Sequence, residues 1–150
     1  MERSEVLSGG VLILEDDVLA AVLARTLIER FGMTADWTDS SANAIELLCR
    51  AKSEAGSELP VAIISDLNLS GGGAEQAIEW IRSDSEIGDL PILVISADDS
   101  PDAEARALGA GADCFMGKSR FLRELPEWME GSGVLLRFQR ACLGQEDDAA

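Results

Sequence analysis

Short, largely apolar runs alternate with longer amphipathic segments along most of the chain. The runs are too short for helices and contain mainly bulky or β-branched residues, so they predict buried strands. These strands cover Val11–Leu14, Thr34–Thr38, Val61–Ser65, Pro91–Ser96 and Asp113–Met116. The run at 34–38 is the weakest, because polar residues interrupt it.

The segments between the strands have the length and periodicity of helices. The predicted helices cover Val18–Phe31, Ser40–Lys52, Ala74–Asp84 and Pro101–Gly111. In the first helix, large apolar residues recur at the spacing of an amphipathic helix: Leu19, Val22, Leu23, Leu27 and Phe31. Ser40 or Ser41 suits the N-cap of the second helix, and Pro101 suits the first turn of the fourth.

Strands that are apolar throughout, each followed by a helix, indicate a parallel sheet covered on both faces. Right-handed crossovers then give an open, doubly wound α/β domain. The final segment fits less well, because Pro126 would interrupt a helix that begins soon after Lys118. We therefore expect a divergent final helix, a flexible N-terminus over residues 1–9, one domain over 10–143, and an acidic tail over 144–150.

Composition narrows the possible functions. The 150 residues are 47% hydrophobic and carry a net charge of −16, which predicts a globular protein that does not bind nucleic acid. The chain has no histidine, which excludes histidine-based metal sites and Ser-His or Cys-His catalysis. Three separated cysteines, with no signal peptide or membrane-spanning run, lead us to expect a cytoplasmic protein without membrane insertion.

Polar side chains capable of chemistry follow the four strong strands. In strand order they are Glu15, Asp16 and Asp17, then Asp66, then Ser96 and Ala97, and finally Lys118. Since ligands bind at the carboxyl ends of parallel strands, we expect these groups to meet at one edge of the sheet. Each has a simpler explanation as a turn, cap or surface residue, but their coincidence at four strand ends is harder to explain that way.

The gathered residue types suit phosphoryl transfer. Crowded carboxylates repel one another unless a cation lies among them, and hard oxygen ligands on short loops suit Mg²⁺. A carboxylate such as Asp66 can act as a nucleophile toward a phosphoryl group. Ser96 and Lys118 are of the types that stabilise the charge of the transferring group.

Four motifs resemble the response-regulator receiver domains of bacterial two-component signalling. They are "VLILEDD", "AIISDLNLS", "LPILVISAD" and "GAGADCFMGKS". The resemblance implies a flavodoxin-like fold with five parallel strands in the order 2-1-3-4-5 and helices on both faces. It implies a signalling phosphoacceptor rather than an enzyme, one that receives a phosphoryl group from a sensor histidine kinase or a histidine phosphotransfer protein and acts on a downstream protein target.

The resemblance also assigns roles to individual residues. Asp66 would be the phosphoacceptor, and Mg²⁺ (or Mn²⁺) would be held by Glu15, Asp16, Asp66 and the backbone carbonyl of Asn68. Ser96 and Ala97 would contact the phosphoryl group, Lys118 would pair with Asp66 or its phosphate, and Phe115 would be the switch aromatic. Asn68 and Asp98 would flank the site and influence dephosphorylation.

The chain departs from the family pattern in three places. Ser119 replaces the usual proline, and we predict a trans Lys118–Ser119 bond because a non-proline cis bond costs about 3 kcal/mol. The glycine-rich stretch 69–73 predicts a mobile loop after the acceptor. The proline at 126 leaves dimerisation through the fourth and fifth helices open. With little chain after residue 120, we expect a stand-alone receiver that acts through protein–protein contacts.

Two alternatives use the same residues differently. A haloacid-dehalogenase-like phosphohydrolase also combines a nucleophilic aspartate, Mg²⁺, a hydroxyl and a lysine. Such enzymes have a second aspartate where this chain has Asn68, and their nucleophile follows the first strand rather than the third. The other alternative is a pseudo-receiver that binds partners without phosphorylation, which the intact set of Asp16, Asp66 and Lys118 disfavours.

Overall fold

The structure is a computed structural model that describes residues 2–30, 32–69, 72–121 and 123. Alternating strands and helices follow one another along the chain. They are β1 (Val11–Leu14), α1 (Val18–Arg30), β2 (Ala35–Thr38), α2 (Ser41–Ser53), β3 (Ala62–Asp66), α3 (Glu75–Ser83), β4 (Ile92–Ser96), α4 (Pro101–Ala110) and β5 (Cys114–Gly117). A short antiparallel ribbon pairs Asn68–Leu69 with Gly72–Gly73 between β3 and α3.

The five main strands form one parallel sheet in the order β2-β1-β3-β4-β5. This order confirms the predicted flavodoxin-like arrangement. The strand order reverses between β1 and β3, and the register places Leu14 beside Ser65 there. The residues that follow β1 therefore lie next to the last residue of β3, where parallel α/β sheets form their sites.

Hydrophobic cores cover both faces of the sheet. One cluster joins side chains of α2, α3 and α4 to β1, β3 and β4, with Leu48, Ile78 and Ala107 among its buried members. The other joins α1 to the opposite face, and Phe121 is buried within it. The two covered faces explain why the strands read as continuous apolar runs.

The apolar stripe of α1 lies mostly away from the core: Leu27 packs against it, but Leu19, Val22 and Leu23 are exposed. The helix buries Ala21, Ala24 and Ile28 against the sheet, whereas Leu19 is 67% exposed and Leu23 is 43% exposed. Small alanine side chains let the helix axis approach the sheet closely, and this turns the larger residues outward. Large apolar side chains next to the acidic loop consequently face solvent. Phe31, the last member of the stripe, lies outside the described residues.

The N-terminal segment packs on the domain, in contrast to the flexible terminus expected for residues 1–9. The Ser4 N–H donates to the Trp37 carbonyl, and the Trp37 N–H donates to Ser4 Oγ, along the edge strand β2. Leu7 is 2% exposed, and the Ser8 N–H donates to a carboxylate oxygen of Asp36 at 2.7 Å. These contacts cover part of a sheet edge that would otherwise present unpaired backbone groups.

Helix caps form where the sequence provides them. Ser40 is the N-cap of α2, and its hydroxyl accepts from the Asn43 N–H. Pro101 begins α4 as predicted, and Gly111 ends it with a φ of 122° that disfavours other residues. The Ser100 cap of α4, which accepts from the Ala103 N–H, was not foreseen.

Two further expectations concern the ends of the site loops. Every described peptide bond is trans, including Lys118–Ser119, as predicted. Residues 118–121 already adopt helical conformation, whereas Pro126 and the rest of the divergent final segment lie outside the described residues. So do residues 70 and 71 of the glycine-rich stretch. No helix in the described part of the chain has both the length and the apolarity to cross a membrane.

Candidate functional site

Three carboxylates meet at the carboxyl edge of the sheet. Glu15 and Asp16 directly follow β1, and Asp66 is the last residue of β3. One oxygen from each lies within 4.8 Å of the others. Glu15 and Asp66 are buried, whereas Asp16 is exposed, so the cluster opens to solvent on the Asp16 side.

Lys118 is the cation of this cluster. Its Nζ lies 2.8 Å from Glu15 Oε2 and 3.3 Å from Asp66 Oδ2, so one ammonium group bridges two carboxylates. Burial opposes the charged form of the lysine, but hydrogen bonding to Glu15 and attraction to Asp66 outweigh it and raise its pKa. Lys118 therefore remains a fixed positive charge at neutral pH.

Glu15 is the most deeply buried carboxylate of the cluster. Its side chain is 2% exposed, and burial raises the pKa of its carboxyl, with the negative charge of Asp66 adding to the effect. The Lys118 ammonium and the Asp17 N–H oppose that rise. Oε2 forms an ion pair with the Lys118 ammonium at 2.8 Å. A carboxylate buried to this degree depends on nearby positive charge.

Backbone contacts fix the acidic groups in place. The Asp17 N–H donates to Glu15 Oε1 at 3.1 Å, and the indole N–H of Trp37 donates to the Glu15 carbonyl at 2.7 Å. The Asn68 N–H lies 3.4 Å from Asp66 Oδ1, which brings the loop after β3 over the Asp66 carboxylate. The neighbouring strands and loops thus orient the cluster before any ligand binds.

Ser96 ends β4 and lies in register with Gly117, one residue before Lys118. Its side chain is buried, and its hydroxyl oxygen accepts from the Asp98 N–H at 3.1 Å. Ala97 and Asp98 are exposed at the rim. The N–H and hydroxyl of Ser100 lower the pKa of the Asp98 carboxyl, so this rim position is anionic at neutral pH.

Phe115 lies in β5, three residues before Lys118. It is half-buried and packs against the hydrophobic cluster that includes α4. The structure thus places Phe115 under the α4–β5 surface rather than among the carboxylates. In the β4–β5 pairing, Phe115 lies opposite Val94, two residues before Ser96.

An ion pair at the rim was missed from the sequence. Arg106 of α4 donates to both carboxylate oxygens of Glu75 at 3.0–3.2 Å, and its guanidinium also reaches Asn68. Glu75 and Arg106 are 31 residues apart, and neither follows a strand of the five-stranded sheet. Only the packing of α4 beside α3 brings them together.

Comparisons with known proteins agree with this geometry. The family model described as "Response regulator receiver domain" matches residues 11–130. The KDP operon transcriptional regulatory protein KdpE of Escherichia coli is 34% identical over 115 residues, which are 77% of this chain and 47% of KdpE, so the chain spans about half the length of that relative. The polar-differentiation response regulator DivK of Brucella ovis is 25% identical over 123 residues, covering 79% of this chain and 94% of DivK.

Solved structures share the fold. A putative response regulator from Chloroflexus aurantiacus superimposes with a TM-score of 0.71 at 22% identity, covering 90% of this chain and 98% of its own. The phosphorylated cyanobacterial phytochrome response regulator RcpA gives a TM-score of 0.71 at 19% identity, covering 87% of this chain and 92% of its own. At these identities the likeness establishes the architecture alone.

Proposed function

The chain belongs to the response-regulator receiver domain family, and we propose that Asp66 is its phosphoacceptor, taking a phosphoryl group from a phosphohistidine on a sensor kinase or a histidine phosphotransfer protein. The observation that carries this proposal is the geometry of Asp66. Its carboxylate lies within 4.8 Å of two other carboxylates and 3.3 Å from a lysine ammonium.

The transfer step follows from these contacts. An Asp66 carboxylate oxygen attacks phosphorus, the new O–P bond forms, and the P–N bond to the donor histidine breaks with its electron pair passing to the imidazole nitrogen. Lys118 attracts the equatorial oxygens, on which negative charge is concentrated, and the buried Ser96 hydroxyl can donate to one of them. These 150 residues contain no histidine, so the donor histidine lies outside them.

We propose that Mg²⁺ binds among Glu15, Asp16 and Asp66, with the Asn68 backbone carbonyl as a further ligand and Mn²⁺ as a substitute. The fit rests on the oxygen-only donor set, in which one oxygen from each of three carboxylates lies within 4.8 Å of the others. When bound, the ion supplies positive charge that offsets the phosphoryl oxygens. The exposed position of Asp16 leaves this side of the cluster accessible from solvent.

Asp66, Ser96 and Phe115 provide a route from phosphorylation to output. A phosphoryl group on Asp66 adds negative charge and acceptor oxygens beside Ser96 and Ala97. Movement of Ser96 toward these oxygens would break the hydrogen bond from the Asp98 N–H and change the packing at the end of β4. Phe115, which packs under α4, would follow that change and alter the α4–β5 surface seen by a downstream protein.

The phosphodonor must approach the open side of the cluster, and α1 begins there. Leu19, Val22 and Leu23 of this helix are exposed, together with Val18 at its first residue. Exposed apolar side chains beside a reaction site commonly mark a protein-binding surface. We assign this α1 surface, Val18, Leu19, Val22 and Leu23, to contacts with the phosphohistidine-bearing partner.

A phosphatase assay separates the proposal from the haloacid-dehalogenase alternative. The protein is incubated with excess p-nitrophenyl phosphate and Mg²⁺, and product is compared with the amount of protein. A receiver yields no sustained turnover, because no second aspartate occupies the position of Asn68 as general acid. Many turnovers per chain, abolished by Asp66→Asn, would instead establish an enzyme.

A further inference from the structure

Arg106 links α4 to the loop that carries the acceptor. Its Nε and Nη2 donate to the Glu75 carboxylate, and its Nη1 and Nη2 each lie 3.5 Å from Asn68 Oδ1. Two contacts to Glu75 fix the plane of the guanidinium. The remaining edge of that plane then faces the Asn68 amide.

Asn68 connects this ion pair to the reaction centre. Its backbone N–H lies 3.4 Å from Asp66 Oδ1, and it pairs with Gly73 in the short ribbon. Glu75 lies directly against that ribbon, since a Cβ on Gly73 would come within 2.1 Å of Glu75 Oε1. Glu75, Gly73 and Asn68 therefore lie together next to Asp66. Arg106 contacts both Glu75 and Asn68 in this group.

The contact determines which end of the Asn68 amide is engaged. A guanidinium has only donors, so the atom it contacts must be the carbonyl oxygen. That oxygen is the acceptor of the Asn68 side chain. In phosphoryl hydrolysis a carboxamide can orient the attacking water, as a glutamine does in small GTPases. An amide oxygen engaged by Arg106 is less available to accept a hydrogen bond from such a water.

We propose that Arg106, oriented by Glu75, is a positioning residue that engages the Asn68 amide oxygen, so that this oxygen does not orient the attacking water. Arg106 thereby lengthens the lifetime of the aspartyl phosphate on Asp66. The inference rests on the proposed function. In the step that it slows, a water oxygen forms a bond to phosphorus and the bond from phosphorus to the Asp66 oxygen breaks. The electron pair returns to the carboxylate, and both water protons leave with phosphate as H₂PO₄⁻.

The test measures the half-life of the phosphoryl group. Protein is phosphorylated with acetyl phosphate and Mg²⁺, freed of the phosphodonor, and followed by intact mass. We expect Arg106→Ala to shorten the half-life by about threefold to tenfold, the equivalent of one net hydrogen bond. Glu75→Gln keeps the side-chain shape but weakens the ion pair that orients Arg106, so it should shorten the half-life less. Arg25→Ala, which removes an exposed arginine paired with Glu29 on α1, is the control.

A double variant distinguishes a positioning role of Arg106 from a general effect on the structure. With Asn68→Ala in place, Arg106→Ala should leave the half-life unchanged, because the amide through which it acts is absent. In the unphosphorylated protein, Arg106→Ala should also shift the NMR signals of the Asn68 side-chain amide. Both results support the proposal.

Three results would overturn it. The Arg106→Ala protein could keep the wild-type half-life, or it could shorten the half-life equally with and without the Asn68 amide. Either result on a protein that does become phosphorylated defeats this inference and leaves the proposed function intact. Failure of the wild type to gain any phosphoryl group would defeat both together.

Discussion

Lys118 lies closer to Glu15 than to Asp66, with Nζ 2.8 Å from Glu15 Oε2 and 3.3 Å from Asp66 Oδ2. The lysine therefore neutralises the buried Glu15 carboxylate while it also faces Asp66, the proposed phosphoacceptor. Glu15 has the more buried carboxyl of the two, so its dependence on this cation is the stronger.

Removing the cation should expose that dependence as lost stability. In Lys118→Met, the free energy of unfolding from urea denaturation at neutral pH without divalent ions should fall by about 1–3 kcal/mol, because Glu15 keeps a buried charge without a partner. Adding Glu15→Gln to this variant should recover most of the loss. If Lys118→Met lost the same free energy of unfolding with Glu or with Gln at position 15, the Lys118–Glu15 pair would not be the cause.

Mg²⁺ should stabilise the folded protein through the carboxylate cluster. At ten times the dissociation constant, linkage predicts about 1.4 kcal/mol of added stability, or a rise in Tm of about 3–6 °C. Asp16→Asn should strongly reduce the rise measured by calorimetry, since it removes one of the proposed ligands. Asp39→Asn, outside the cluster, should retain it. A full response in Asp16→Asn would place the ion elsewhere.

Leu19, the exposed leucine at the start of α1, should affect the rate of phosphoryl transfer from a protein donor but not from a small-molecule donor. Leu19→Ser should slow transfer from a phosphorylated histidine phosphotransfer protein by about tenfold, the effect of losing most of one buried apolar side chain in the complex. Transfer from acetyl phosphate should be unchanged, because this small donor needs no helix surface.

Leu108→Ser provides the matched control, since Leu108 is a similarly exposed leucine on α4. It should retain wild-type transfer from the same phosphohistidine protein. Equal slowing of both donors by Leu19→Ser would indicate damage to the site rather than to a docking surface.

The acid sensitivity of folding should depend on Asp84. The Lys52 ammonium, followed by the Glu86 N–H, lowers the pKa of the Asp84 carboxyl below its usual value of 3.8. A lowered folded-state pKa stabilises the protein above the unfolded value, and that stability disappears as pH falls through the folded value. Asp84→Asn should therefore lower Tm at pH 6, and the difference from wild type should vanish at more acidic pH.

Asp89→Asn tests whether any lost carboxylate in this region has the same effect. It removes an exposed aspartate near the same turn, and its Tm should parallel that of wild type at every pH. A Tm difference for Asp84→Asn that stays constant from pH 6 to the acid transition would contradict the role of its charge.

Much of the site was predictable because strand ends converge in a parallel sheet. Glu15, Asp16 and Asp66 follow apolar runs, and the topology alone brings them to one edge. The closer pairing of Lys118 with Glu15 was not predictable, since it depends on side-chain depth rather than strand order. Arg106 lies on a helix far from any motif, so only the packing of α4 places it beside Asn68.

The face of α1 shows a different limit. Periodicity finds an apolar stripe but does not choose between two stripes on one helix. In α1 the stripe of larger side chains, Leu19 and Leu23, faces solvent, and the buried face is formed by Ala21, Ala24 and Ile28. The packing of Ser4–Ser8 on β2 was missed for a related reason, since hydrogen bonds to an edge strand leave little periodic signal.

The most direct test of the central claim is intact-mass analysis after incubation with acetyl phosphate and Mg²⁺. Wild type should gain the mass of one phosphoryl group, and Asp66→Asn should gain none. Asp98→Asn, which alters a carboxylate at the rim, should still gain one. A phosphoryl group on both wild type and Asp66→Asn, or on neither, would contradict the assignment of Asp66 as the phosphoacceptor.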